Sequence, residues 1–334
     1  MSAVRINRIM AWERFRENGP REHVEFKTKY VSIVLLSALI VAFESVAIEG
    51  ALNIEDLDVI LVTAVPSLIG GLILMSVRPP GTASFCRSLG RKGWPWMILL
   101  CALVAGGILL WFDAVGRIGA GKEALLGGGS SEVLFVVILS TIFLSERLSR
   151  IEAVGGLMIV VGVFLVLMNA DTMSLALGFG EIEAIISSFL LGCSVVLTAS
   201  MLKAYDLAPL SGVELFLSGT IVLAFGVSFS DITWPGISGL LLLLLLGLFP
   251  AVGLLSYNAG LPKIGASLTS VLFALNGILT VGVQLLVLAV FPEADFMPPE
   301  NLALAMIGGV IAFVGVYLLN LNPTSESSSA TSKS

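Results

Sequence analysis

The run 119–145 is apolar except for Lys122, Glu123 and Glu132. An ionisable side chain in such a run is costly unless it pairs or meets water, so each one is a functional candidate by default. Glu132 leads, since a carboxyl at that depth can bind a substrate amine or carry a proton. It follows Gly127, Gly128 and Gly129, where missing side chains permit either close helix packing or a local break. Glu44, inside the first apolar run, offers the same chemistry; Glu49, closer to that run's end, either joins it or meets the interface. Lys122 either neutralises Asp113 or Glu132, or snorkels to water.

These side chains need elements that hold them at depth, and the composition indicates which. Of 334 residues 57% are hydrophobic and only 13% charged, against about 25% charged in soluble chains. Residues 1–29 alone carry 11 of the 42 charged side chains. The remainder is built for lipid, and a polytopic membrane protein is expected. A single histidine, His23, excludes histidine-based metal sites and Ser-His-Asp catalysis. Cys86, Cys101 and Cys193 lack the spacing of a zinc site or a disulfide framework. No enzymatic activity, cofactor, metal or nucleic-acid partner is expected; the partners are a small-molecule solute and the bilayer, in a monomer or a homodimer.

A helix needs about 20 apolar residues to cross the hydrocarbon. Ten such runs are present: 30–50, 57–77, 95–115, 119–145, 150–169, 178–202, 208–229, 237–260, 264–291 and 301–322. Residues 1–29 read as a cytosolic arm whose start, around Ile6, Ile9 and Met10, is either an interfacial helix or a solvated tail. Residues 323–334 read as a disordered tail. With the N-terminus inside, 16 of the 18 Lys and Arg residues fall on the cytoplasmic side, as the positive-inside rule requires of a plasma- or inner-membrane protein with both termini in the cytosol.

The two halves echo each other. Phe112-Asp113-Ala114 returns as Tyr257-Asn258-Ala259, and Arg117-Ile118-Gly119-Ala120 as Lys263-Ile264-Gly265-Ala266. Gly155-Gly156 with Val161-Gly162-Val163 returns as Gly308-Gly309 with Val314-Gly315-Val316. The expected fold is all-α, with ten transmembrane helices in two five-helix repeats, 30–170 and 171–322. Because five is odd, the second repeat is inverted, which is a transporter architecture.

Glu132, then Phe143-Leu144-Ser145-Glu146-Arg147-Leu148, then Glu152-Ala153-Val154-Gly155-Gly156 and Val161-Gly162-Val163 resemble the end of the first half of EamA-type transporters of the drug/metabolite transporter superfamily. The sequence departs from that pattern at Val133, where the family has Pro, and at Asn276-Gly277, where Glu-Pro would stand. A segment ending Pro299-Glu300-Asn301 replaces the second Leu-Gly-Glu-Arg-Leu, and the arginine often found near Val65-Pro66-Ser67 is missing. The resemblance implies a divergent member, in which Glu146 marks the motif; beside Arg147 at the cytoplasmic end of its helix, Glu146 reads as a structural ion pair or a loop anchor.

The remaining polar groups have two readings each. Glu181 and Glu183 open the sixth run, where at least one is expected to cap the helix. Glu214, Asn258, Asn276 and Gln284 line a path; for the last three, tying helices together is the other reading. In the outer half, Glu44, Glu49, Asp113, Glu123, Glu132, Glu181 and Glu183 face only Arg117 and Lys122. A phosphate-bearing solute would call for bases. The expected activity is therefore export of an amino acid or amine by alternating access, with Glu132 and Glu44 as solute-binding or proton-carrying groups. A nucleotide-sugar or sugar-phosphate exchanger is the rival reading, and a membrane sensor or assembly protein the next.

Overall fold

The computed structural model describes residues 20–77, 79–144, 150–168 and 177–319. Both the start of the arm and the tail, and also Glu146 and Arg147 of the family motif, lie outside the described residues. The helices are α1 (Pro20–Asn53), α2 (Val59–Val77), α3 (Pro79–Ile118), α4 (Ala120–Leu126), a π-helical turn (Gly127–Ser131), α5 (Glu132–Leu144) and α6 (Arg150–Leu167). They continue as α7 (Phe179–Met201), α8 (Leu207–Phe229), α9 (Ile237–Leu246), α10 (Leu248–Ile264), α11 (Ala266–Phe273), α12 (Leu275–Val290) and α13 (Leu302–Leu319).

Among the described residues seven helices are long and apolar enough to cross a membrane. Two shorter apolar ones, Val154–Leu167 and Leu302–Leu318, occupy the fifth and tenth expected runs. The fourth run is divided by the π-helical turn at the three glycines. There the hydroxyls of Ser130 and Ser131 donate to the Leu125 and Leu126 carbonyls, at 2.6 Å each, and so satisfy acceptors that the widened turn leaves over. The ninth run is also interrupted, at Ala274 between α11 and α12.

Pro79-Pro80 opens α3, a position where a proline's missing N–H costs nothing. Phe85 and Leu89, one turn apart, are buried there against Met201, Leu210 and Tyr205. This amphipathic stretch bends away from the membrane-crossing part of α3 at Gly90, whose φ is +54°.

Lipid removes the hydrophobic drive between helices, so close approach of small residues must hold the bundle. A Cβ on Gly162 would lie 2.5 Å from the Gly308 carbonyl oxygen, and one on Gly315 2.5 Å from that of Gly155, so α6 and α13 pack antiparallel with backbones touching. Gly71 approaches the Gly212 carbonyl and Gly219 the Ala64 carbonyl in the same way, which makes α2 and α8 antiparallel too. Elsewhere a serine supplies the tie. Ser37 donates to the Gly253 carbonyl at 2.7 Å, joining α1 to α10, and Ser187 donates to the Gly107 carbonyl at 2.8 Å, joining α7 to α3.

Candidate functional site

The helices enclose a cavity of about 140 Å³ whose lining comes from both halves of the chain. Among the described residues α6, α9 and α13 contribute nothing to it. Four glutamates line the cavity: Glu44 from α1, Glu123 from α4, Glu132 from α5 and Glu214 from α8. Each is at least nine-tenths buried. No Lys, Arg or His is among the described residues that line it. Its other polar groups are mostly hydroxyls, among them Ser67, Ser188 and Ser194, with Asn276; Trp111, Phe112, Tyr257 and Phe273 form aromatic walls.

Local structure explains why these carboxyls face inward. Glu132 is the first residue after the π-helical turn, and a π bulge rotates the residues that follow it relative to an uninterrupted helix. Gly129 lets α12 approach, since a Cβ there would lie 3.1 Å from the Ala274 carbonyl oxygen. Glu123, one turn before Gly127, accepts a 2.6 Å hydrogen bond from the Trp111 indole. Glu214 keeps its Oε2 buried with no hydrogen-bond partner. Tyr257, edge-on to Phe273, shares a hydrogen bond with Ser270 at 3.2 Å.

The other residues singled out from sequence fall elsewhere. Lys122 pairs with neither Asp113 nor Glu132; its ammonium meets Glu181 at 2.6 Å. Asp113 lies beside Arg117 at 3.0 Å, and Arg117 also reaches Glu183 at 3.1 Å. These two bases and three acids lie apart from the cavity lining, and Glu181 also accepts the Gly178 N–H at the start of α7. Asn258 donates to the Ser211 hydroxyl at 3.0 Å and so ties α10 to α8. Asn276 is at the cavity, with its side-chain carbonyl accepting from Thr280.

Glu49 is fully buried away from the cavity. It accepts the backbone N–H groups of Ala120 and Met297 and the Gln284 amide, at 3.1, 2.6 and 2.7 Å. One carboxyl thus joins α1, the start of α4, α12 and the segment before α13. Gly119 makes room for it: at φ +81° a side chain would be strained, and a Cβ would collide with the Met297 carbonyl.

Sequence reading missed Trp111, Phe273 and the cavity serines, because aromatic and small hydroxyl residues in apolar runs have the signature of ordinary packing. Glu123 and Glu214 were visible as buried charges, but nothing in their spacing showed that they share a wall.

A bundle of apolar helices around a largely apolar cavity that four carboxyls line defines a multi-pass membrane protein. Residues 28–168 match the model of the EamA-like transporter family. Over that stretch the chain is similar to the EamA-like transporters of the drug/metabolite transporter superfamily, a family of membrane transporters of small solutes. A solved crystal structure of a protein 20% identical in sequence, covering 88% of this chain and 96% of its own, superposes with a TM-score of 0.60. At that identity the likeness shows the fold alone. No curated protein sequence matches the chain.

Proposed function

We propose that the protein exports a small cationic or zwitterionic metabolite, an amino acid or an amine, by alternating access through the four-glutamate cavity. The observation that carries this reading is the lining itself: four buried carboxyls from three separate parts of the chain, with no base among them. Buried charge requires a counter-charge, and a solute ammonium or a proton supplies it. Glu132 and Glu44 are the groups assigned to bind the solute and carry protons, with Gly127 to Gly129 allowing α4 and α5 to flex. A phosphorylated solute finds no partner, which speaks against nucleotide-sugar exchange.

Ten spans in two inverted repeats are part of the same proposal. The packing supports it, because equivalent contacts recur with the halves exchanged. Ser37 to Gly253 is answered by Ser187 to Gly107, and Gly155 with Gly315 by Gly162 with Gly308. Gly119 and Gly265, equivalent in the repeat, adopt nearly the same unusual backbone, φ +81° and +87° with ψ near 150°. Sequence-equivalent helices that pack antiparallel are what inversion requires. The distribution of bases supports a plasma or inner membrane with both termini in the cytosol.

Thermal stabilisation of the purified protein should appear with amines or amino acids and not with nucleotides or nucleotide sugars. At a ligand concentration about 100 times its Kd, the stabilisation is about 2.7 kcal/mol. A shift with nucleotide sugars alone would overturn the reading of the cavity.

A further inference from the structure

The cavity carries more carboxyls than one ammonium can satisfy, and they stand on four different helices. Glu123 and Glu132 are nine residues apart, on either side of the π-helical turn. Glu44 and Glu214 add carboxyls from two other helices. Between them the wall is largely apolar and aromatic, with Trp111 and Tyr257 available to a cation as ring faces. Independently of the acidic clustering, Glu214 Oε2 is buried without any donor although its residue faces the cavity. A donor delivered by a ligand would complete it.

We propose, resting on the transport reading above, that the solute is a linear aliphatic polyamine. Its ammonium groups, separated by methylene chains, match carboxyls separated by apolar wall. Each end donates hydrogen bonds that the cavity's acceptor-only carboxylates need. An amino acid would bring its own carboxylate into a space where no Lys, Arg or His lines the wall, among the described residues, to receive it. A monoamine would leave most of the carboxyls without a counter-charge.

Uptake into proteoliposomes containing the full-length protein should be measured for spermidine, 1,4-diaminobutane, butylamine and lysine. Spermidine and the diamine should move about tenfold or more faster than butylamine, a difference of one charge-assisted contact, and lysine should not compete. Glu214→Gln should reduce spermidine flux by a similar factor with an unchanged thermal midpoint. Competition among the four solutes on the unmodified protein decides the matter even if that variant does not fold. Lysine or butylamine flux that equals or exceeds polyamine flux would overturn the polyamine assignment and leave transport standing. Absence of flux for every amine and amino acid would overturn both.

Discussion

Replacing Glu132 with glutamine is expected to lower solute flux by about ten- to a hundredfold, or to uncouple it from protons, while the protein stays folded. The factor corresponds to about 1.5–3 kcal/mol, the usual worth of a hydrogen bond to a charged group. The substitution keeps the shape but exchanges one acceptor oxygen for an amide donor, and it removes both the charge and the titratable proton. Glu132 is only 7% exposed, borders the cavity directly after the π-helical turn, and has no basic residue beside it on the lining. A solute ammonium is then the partner that the glutamine cannot hold. Flux measured in proteoliposomes at two pH values, beside a thermal midpoint, checks this. Unchanged flux with unchanged pH dependence would remove Glu132 from the mechanism.

A large effect on stability is expected at Gly162. Leucine there must displace the backbone of α13, because even the first carbon would stand 2.5 Å from the Gly308 carbonyl oxygen and 2.7 Å from the Ala312 Cβ. Overpacking of an ordinary core costs about 1–3 kcal/mol. At Gly162 the obstacle is main chain, which cannot rotate away, so about 3 kcal/mol and a clearly lower thermal midpoint are expected. Gly282→Leu is the control, since a Cβ at that position meets nothing within 4 Å. Equal melting of the two variants would mean that α6 and α13 are not held by this contact.

The apolar runs were legible because lipid imposes one length and one composition on every crossing segment. The glycines at 155, 162, 308 and 315 were legible for a related reason: close helix packing leaves no room for anything larger. Glu44 and Glu132 stood out because charge is so scarce around them. Partner choice was a different matter. Nothing in the spacing of Lys122 distinguishes Glu181, 59 positions away, from Asp113 or Glu132, and only the packing of α4 on α7 decides it. The π-helical turn was readable as a weak point in the glycine run but not as a defined geometry, since its serine hydroxyls stabilise one of several available breaks. Likewise Phe85 and Leu89 look like loop residues until Tyr205 and Leu210 are brought beneath them.

The carboxyl-lined cavity is tested most directly by solute flux through the purified, reconstituted protein, with labelled amines and amino acids in one set of vesicles and nucleotide sugars in another. Saturable movement of the amines or amino acids, with none of the nucleotide sugars, is the predicted result. Exchange of nucleotide sugars alone, or no protein-dependent movement of any cation or zwitterion, would contradict it.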